Sequence, residues 1–547
     1  MDRPLGLEQL QWDGSELLPL TIVDSWLECR RLAWLRLWEP LEGEEDPGSQ
    51  VRAELDVGPL AAVPPDRGPR AIEVIEEELG VAGIVAVGYG RDGPRPAVVA
   101  RVGDQSDVLP ATMMQLALRA RLLARLEIVV EGGTYLDASG HAHHVRLSHD
   151  DEVALDIELA GLHQALEDPQ RPPAPTQITR YCEECPYVGV CLPEEWARLH
   201  ELRRRFPRRV RPVVDPARPL YLTEPGLQVS KDGGVAVIRD RSGAERGRRR
   251  LMDVSQVVVH AGVSISTPLL DELLRRNIPV AHLNARGWFL GVSTGFPRRN
   301  VMLRERQFRL GDEERLAIAR EMIAGKLRNQ RVLYRRTAEG PELEVLEELA
   351  ALEQRALEAP TADELRGIEG RAGALYFAGF ARMLTNLRRS VRVTMTQRSR
   401  RPPRDPVNAA LSYCYGILAK DATLACWLAG LDPLYGVFHR PRYGRPGLAL
   451  DLMEEFRPII ADSVVLRCFN TQVLDESHFQ HERDGVLLNP EGRRRVLHEY
   501  ERRLEVEFEH AVFGYRISYR QALLVQARLL AGVLIGDFPS YVPVTVR

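Results

Sequence analysis

The stretch from Gly436 to Val465, GVFHRPRYGRPGLALDLMEEFRPIIADSVV, constrains this chain more than any other. It opens on a histidine in a basic loop broken by glycine and proline, then runs into an apolar segment of helical period. Leu452, Phe456, Ile459 and Ile460 recur at that period, so their face is expected to be core. Asp451 and Glu454 stand three residues apart and share a neighbouring face, expected to be the polar side of the helix. His439 precedes Glu454 by fifteen residues, enough for the loop to fold back and bring imidazole and carboxylate together. One nitrogen with one or two oxygens suits a hard or borderline divalent cation. Two ligands make a weak site, so a third is expected elsewhere in the chain.

At 547 residues the chain exceeds a single core, and two to four domains are expected. An apolar fraction of 44% and a charged fraction of 27% are those of a soluble globular protein. No run of eighteen apolar residues occurs, so no membrane span is expected. The opening MDRPLGLEQLQWDGSELLPL lacks the basic-then-apolar order of a signal peptide, which leads to the expectation of a cytoplasmic chain. A formal charge of −4 decides nothing about nucleic acid, but the arginines are gathered at Arg203–Arg205, Arg208–Arg211, Arg246–Arg250, Arg388–Arg392 and Arg398–Arg404. The guanidinium fork suits bidentate phosphate contacts, and a solvated surface accounts for any single cluster equally well.

Taken in order, the chain first offers a helix after Asp24 or Ser25 with Cys29 inside it, then an acidic and Pro/Gly-rich loop over 41–70. A helix from Ile72 is expected to lead into the strand GIVAVGYG, followed by a turn at Asp92-Gly93-Pro94 and a second strand, AVVARV. A helix over Met113–Leu126 and a hairpin turning at Ser139-Gly140 follow. The histidines of that hairpin, His141, His143 and His144, read as alternation on an exposed hairpin rather than as a metal site. Residues 218–300 read as a β-rich domain with one helix at Thr267–Arg276, and from about Arg306 the pattern stays helical to near Phe538. The expected division is 1–205, a linker at 206–217, then 218–305 and 306–547.

Seven cysteines are an odd number in a chain read as non-secreted, which argues against a disulfide framework. Cys414, Cys426 and Cys468 stand singly in apolar settings and read as core. Cys182-x2-Cys185-x5-Cys191, with Cys29 far upstream, supplies four thiolates for either Zn2+ or an iron–sulfur cluster, and spacing alone does not separate the two. Cys29 followed by Arg30-Arg31, then an α/β core, then the three clustered cysteines ending in Cys191-Leu192-Pro193, resembles the CRISPR-associated iron–sulfur nuclease family over roughly residues 18–195. The resemblance implies an α/β RecB-like (PD-(D/E)XK-type) domain with a [4Fe–4S] cluster on Cys29, Cys182, Cys185 and Cys191. One departure stands out. The matching strands, 83–87 and 97–101, carry no acid and no following lysine, although Gln115 matches the family's glutamine. An intact cluster beside a degenerate nuclease centre is therefore expected. Such a domain would select or trim DNA ends, or act as a non-catalytic DNA-binding scaffold.

Within LRGIEGRAGALYFAGF, Glu369 lies close to an apolar stripe and is either a helix-boundary surface residue or a ligand. Ile368-Glu369-Gly370 with Tyr376, then RSRRPPRDPVNAALSYCYGIL, then GVFH and LDLMEEFRP, resemble in order the motifs of the CRISPR adaptation integrase family over about residues 216–547. That resemblance implies a small β-rich domain followed by an all-α catalytic domain. It also implies Glu369, His439 and Glu454 as catalytic ligands of Mg2+ or Mn2+, with Asp451 an alternate ligand or an outer partner. Arg398, Arg400, Arg401, Arg404, Arg440, Arg442 and Arg445 would contact DNA, and Asp405 and Asn408 would order the arginine-rich loop and the helix start. The implied whole is a multidomain fusion for spacer acquisition. It would join short DNA duplexes to a repeat by transesterification, as an integrase homodimer bridged by a small ferredoxin-like dimeric partner. The same residues would also serve a metal-dependent endonuclease or exonuclease acting on branched or single-stranded DNA.

Overall fold

The structure is a computed structural model that describes residues 18–38, 70–76, 81–90, 93–99, 109–130, 132–136, 142–167, 172–176, 181–182, 185–200, 217–295, 301–385, 395, 398–399, 402–442, 444–483 and 485–546. They fall into two compact units, one within Met1–Ala197 and one within Arg211–Pro297 and Val301–Arg547.

The first unit is a mixed sheet covered by helices. Its elements are β1 (Leu18–Pro19), α1 (Leu20–Glu28), α2 (Arg30–Trp38), β2 (Arg70–Glu76), β3 (Val81–Gly90), β4 (Gly93–Val99), α3 (Leu109–Arg125), β5 (Gly132–Leu136), β6 (Ala142–Arg146), α4 (His149–Glu167), α5 (Val188–Cys191) and α6 (Pro193–Leu199). Strand β3 pairs antiparallel with β2 and β4 and parallel with β1, and the sheet continues through β5 to β6. Val74, Val81, Val85 and Val87 from the sheet share one core with Trp26, Leu118, Leu122, Leu155 and Leu162 from the helices.

Two expectations change here. The segment from Ile72 is the strand β2 and not a helix, with its register running from Arg70 opposite Val87 to Glu76 opposite Val81. Its β-branched Ile72, Val74 and Ile75 fit a pleated surface, and a whole neighbouring strand was available to pair with it. Cys29 lies between two helices and not inside one. Its carbonyl accepts the amides of Leu32 and Ala33, so α2 starts on it. The break lets α1 bury Ile22, Val23 and Trp26 in the sheet core while α2 sends Leu32, Trp34 and Leu35 into a second cluster with Tyr187 and Cys191. The β5–β6 hairpin is as expected: His143 stacks on Tyr135 at 4.8 Å, and His144 Nδ1 lies 2.8 Å from Thr134 Oγ1. His141 and the expected turn at Ser139-Gly140 are outside the described residues.

The second unit begins with β7 (Arg218–Leu222), β8 (Gln228–Asp232), β9 (Val235–Arg239), β10 (Glu245–Arg250), β11 (Val254–His260), β12 (Ser264–Ile265), α7 (Thr267–Arg275), β13 (Val280–Leu283) and β14 (Phe289–Ser293). These strands make two four-stranded sheets, β10-β9-β8-β12 and β14-β13-β11-β7. Then come α8 (Val301–Phe308), α9 (Asp312–Thr337), α10 (Leu343–Glu358), α11 (Ala362–Met383), α12 (Pro406–Leu428), α13 (Gly447–Leu452), a π-helical turn (Arg457–Asp462) and α14 (Ser463–Asn470). The unit ends with β15 (Phe479–Glu482), β16 (Gly485–Leu488), α15 (Pro490–Leu504), β17 (Glu507–Glu509), β18 (Arg516–Ser518) and α16 (Tyr519–Leu534). The last part is therefore not all-helical. The hairpins β15–β16 and β17–β18 interrupt it, in segments too short for a helix and bearing Phe479, Val486, Phe508 and Ile517. A buried polar network joins the β-rich and helical parts: Lys420 Nζ and Asp421 each bond Gln256, Tyr500 donates to Asp421 at 2.8 Å, and Tyr221 donates to Glu501 at 2.7 Å.

The stretch that opens the sequence reading is not one helix with a polar side. It is α13, an irregular turn, the π-helical turn and α14, and its acids are buried: Asp451, Glu454, Glu455 and Asp462 are all at most 3% exposed. The acids are enclosed because partners distant in sequence close over them. Asn329 on α9 donates to the Glu455 carbonyl and to the Val544 carbonyl, and accepts from the Val546 amide. Gly325, one turn earlier, admits this segment: a Cβ there would stand 2.5 Å from Pro543 Cβ.

Between β17 and β18, His510 is almost fully buried against Phe513, and its Nδ1 accepts the amides of Val512 and Phe513. Burial lowers its pKa from 6.5 to about 4. The folded value lies below the unfolded one, so the unfolded chain takes up a proton first as pH falls. Stability present above pH 6.5 is then lost toward pH 4. Between pH 7 and pH 5 this one group should remove roughly 2 kcal/mol, at about 1.4 kcal/mol per pKa unit. His510→Gln, measured by urea unfolding at both pH values, should show that much less acid sensitivity than the native chain.

Candidate metal and nucleic-acid site

One apolar cluster sets the site. Leu327 of α9, Ile368 of α11 and Phe438 of the following loop belong to the same core, with Ile323, Leu352 and Leu365. Each is next in sequence to a polar residue of interest: Lys326, Glu369 and His439. Packing these neighbours brings the polar side chains to one place. Lys326 Nζ bonds Glu369 Oε1 and lies 2.8 Å from Glu454 Oε2. The sequence-predicted ligands Glu369 and Glu454, eighty-five residues apart, thus share one ammonium.

His439 is held by Asp451. The carboxylate accepts the backbone amides of Val437 (2.7 Å), Phe438 (2.9 Å) and His439 (3.0 Å), and its Oδ1 lies 2.5 Å from His439 Nδ1. At that distance Nδ1 donates to the carboxylate, which leaves Nε2 as the ring nitrogen that Asp451 does not engage. Asp451 therefore serves as the outer partner that orients the imidazole, and its oxygens are already committed. The approach depends on Gly436, where a Cβ would stand 2.5 Å from Asp451 Oδ2.

Glu454 is 3% exposed. Burial pushes its carboxyl upward, but Arg457, then Lys326 and His439, outweigh that and hold it at about 2. Arg457 Nη2 lies 3.1 Å from Glu454 Oε1, and its guanidinium sits 5.0 Å above the Tyr415 ring. Tyr415 and Tyr376 both donate to Asp462 on the π-helical turn, at 2.6 and 2.9 Å. Burial raises Asp462 to about 6 despite those bonds. Glu454 Oε2 has its ion pair with Lys326 but no well-directed hydrogen bond. A buried carboxylate oxygen in that condition, beside an imidazole and a second carboxylate, is a donor set that fits a hard divalent ion. In the geometry present, no three His, Cys, Asp or Glu side chains among the described residues, the cysteines of the first unit included, form a ready-made ion site, and here the ammonium lies between the two acids.

The expected DNA-contacting arginines divide. Arg398 turns inward: it bonds Asn408 Oδ1 at 2.7 Å and Ser412 Oγ at 3.3 Å, and lies over the Phe377 and Tyr415 rings. Its contacts brace the loop, and Asp405 caps α12 by accepting the Asn408 amide, as expected. Arg404, Arg440 and Arg442 are exposed. Arg445 is half-buried beside the site, its pKa lowered by burial and then by Arg442 and Arg457. Arg400 and Arg401 are outside the described residues.

In the first unit the four cysteines meet. Cys29, Cys182, Cys185 and Cys191 line one cavity of about 170 Å3, together with Arg31, Leu35, Thr176 and Pro193. Burial raises the Cys191 thiol well above its usual value. Arg31 opposes this, and Cys29, Cys182 and Cys185 add to it. None of the four is in a disulfide. Strands β3 and β4 carry no acid, as read from the sequence. Gln115 is buried and donates to the Asp24 carbonyl and to Glu28 Oε1, and Arg119 forks onto Asp24.

Residues 220–502 match the family described as CRISPR associated protein Cas1. A Rhodospirillum rubrum protein described as CRISPR-associated exonuclease Cas4/endonuclease Cas1 fusion is 36% identical over 96% of this chain and 94% of its own length. The chain belongs to the Cas4/Cas1 fusion family. A Geobacter sulfurreducens protein of the same description is 35% identical over 97% of this chain and 98% of its own. Among solved structures, a Cas1 protein from Thermotoga maritima aligns with a TM-score of 0.51 and 25% identity, over 60% of this chain and 99% of that one. A casposase bound to integration product has the same TM-score at 20% identity and shares the fold. The Cas1 part of the fusion is thus a mixed α/β structure, β-rich first and mainly helical after.

Sequence reasoning passed over Lys326, Arg457, Glu455 and Asp462. A signal for the first was present: of 73 basic residues only Lys231, Lys326 and Lys420 are lysines. All three are paired with acids, to Glu272, to Glu369 with Glu454, and to Asp421. Asp451→Asn keeps the shape but replaces an acceptor oxygen by a donor facing amide N–H groups. It should lower stability by about 2–4 kcal/mol, read as a reduced unfolding midpoint of the metal-free chain.

Proposed function

We propose that this member of the fusion family acts in CRISPR adaptation, joining short DNA duplexes to the repeat array through the site built on Glu369, His439 and Glu454. The observation that carries the reading is the shared cation position. Two carboxylates, one from α11 and one from the turn after α13, converge on one ammonium, beside an imidazole that Asp451 holds through Nδ1. Glu369, His439 Nε2 and Glu454 would hold Mg2+ or Mn2+. A divalent ion there supplies polarisation of the scissile phosphate and a lowered pKa for the attacking 3′-hydroxyl. The chain's own contribution is positional. Asp451 fixes the imidazole, and Arg457 keeps Glu454 ionised and in place. Arg445, Arg442 and Arg440 on the adjoining loop offer charge to phosphates, and Arg404 extends that surface. Arg398 supports the surface from inside and is not a contact in this reading.

Partners follow from the family likeness: duplex DNA, a second copy of the integrase part, and the small ferredoxin-like dimer of the adaptation complex. The printed descriptions of the relatives name an endonuclease, which favours a second reading in which the same residues cut branched DNA.

For the first unit we infer a [4Fe–4S] cluster on Cys29, Cys182, Cys185 and Cys191, in a RecB-like domain that selects or trims DNA ends. Four thiols around a common cavity suit a cubane, whose ligands attach to different corners. A single Zn2+ would need them to converge at about 2.3 Å from one point. Arg31 supplies a buried positive charge beside a cluster whose total charge is negative. Covalent fusion holds the end-selecting and joining functions at high local concentration. No described helix is long and apolar enough to cross a membrane.

His439→Ala should abolish strand joining on a repeat-bearing plasmid while leaving duplex affinity within about twofold, since phosphate contacts dominate binding. Retained joining would overturn the ligand assignment, and cutting without joining by the native chain would favour the endonuclease reading. Chain purified without oxygen should be brown and hold about four irons per molecule. Cys191→Ser should lose the colour and lower the melting temperature of this unit. Stoichiometric zinc in the native chain would reverse the cluster assignment.

A further inference from the structure

We propose that Lys326 is an internal counter-cation that holds Glu369 and Glu454 together in the metal-free chain and gives way when a divalent ion enters. This rests on the reading of Glu369, His439 and Glu454 as ligands. The geometry is that of a stand-in. The ammonium bonds Glu369 Oε1 and lies 2.8 Å from Glu454 Oε2, so one compact cation already bridges two carboxylates from different elements. Glu454 Oε2 has no well-directed hydrogen bond, so the bridge is electrostatic on that side and leaves a lone pair for a better-placed cation. Arg457 already occupies Glu454 Oε1. The two acids and two cations balance before any metal arrives, and a divalent ion added to that set would leave it strongly positive. Displacement of the ammonium restores the balance. Arg457 is not the one to move: its guanidinium is stacked on the Tyr415 ring and engages Glu454 through the other oxygen.

The residue type fits the role. In a chain whose basic residues are almost all arginine, this position holds a lysine. A guanidinium is a planar fork suited to one carboxylate. An ammonium is a point charge on a flexible four-carbon stem, able to serve two carboxylates and to swing aside. There is an exit, because the Glu369 side chain is 27% exposed whereas Glu454 and Lys326 are enclosed. The site opens on the Glu369 side. Once displaced in that direction, the ammonium would sit where a DNA phosphate approaches the ion.

The test uses the full chain with Mn2+ alone and no DNA, following free Mn2+ by electron paramagnetic resonance and the metal-induced rise in melting temperature. Lys326→Met should bind Mn2+ roughly tenfold more tightly than the native chain or better, because a competing unit charge close to the ligand oxygens is gone. It should also be less stable than native without Mn2+ and recover more on adding it. Lys326→Gln should behave the same way. A merely structural lysine predicts instead an equal loss of stability with and without the ion. Unchanged or weaker Mn2+ binding in folded Lys326→Met and Lys326→Gln would overturn the proposal. If both variants fail to fold without metal, folding restored by Mn2+ supports it, and failure to fold with Mn2+ overturns it. His439→Ala separates the two levels. If it keeps the native response to Mn2+, the ligand reading falls and this inference with it. If it loses the response while Lys326→Met keeps a response of native size, the ligands stand and the counter-cation alone is refuted.

Discussion

Four buried carboxylates within twelve residues impose the main constraint on this molecule. An unmatched buried charge costs more than most single contacts contribute, so Asp451, Glu454, Glu455 and Asp462 must each be answered. Each is answered differently. Asp451 takes three backbone amides and an imidazole. Glu454 takes two cations and is held at about 2. Its neighbour Glu455 meets only neutral donors, from Tyr541, Gln526 and the Val544 amide, and burial raises it to about 8. Asp462 takes two tyrosine hydroxyls and rises to about 6. Adjacent residues of one type thus reach opposite protonation tendencies, set by what distant segments bring to each.

The broken course of this stretch follows from those demands. A straight helix would place Asp451 and Glu454 side by side on one face. Here Asp451 reaches the loop before the helix, while Glu454 reaches α9 and the π-helical turn. The turn itself carries Arg457 to Glu454 and Asp462 to the tyrosines of α11 and α12. Departures from regular α geometry are common at functional sites, and this one redirects two charged side chains within six residues. The consequence for chemistry is preorganisation. The orientation of the imidazole, the ionised state of Glu454 and the spacing of the acids are set by the fold itself, and under the proposed function that is what favours a transition state over bulk water.

The first unit obeys a different logic. It offers four thiols and one buried arginine around a cavity. Gln115 bonds the Asp24 carbonyl and the Glu28 carboxylate, both on α1, and the Asp24 carboxylate is forked by Arg119.

Much was legible in the sequence because it is local. The pairing of β5 with β6, the helix after Ser266, the Asp405 cap of α12 and the apolar period through Leu452 and Ile460 follow from turn chemistry and periodicity, which neighbours in the chain decide. Cysteine spacing and motif order belong to the same class, since they survive any arrangement of the rest. The β2 strand was misread as a helix because β-branched residues and acids fit either state until a partner strand is present. Asp451 and Glu454 read as the polar side of a helix, and their enclosure is not legible because burial depends on what covers a residue. That cover comes from Lys326, Asn329 and Val544, and Asn329 bonds Val544 across 215 residues of sequence. Composition and spacing determined which chemistries the chain could hold. Tertiary packing alone decided which carboxylate would stay ionised, which histidine nitrogen would stay open and which cation would stand between the acids, because each is an interaction energy between residues that the sequence keeps far apart.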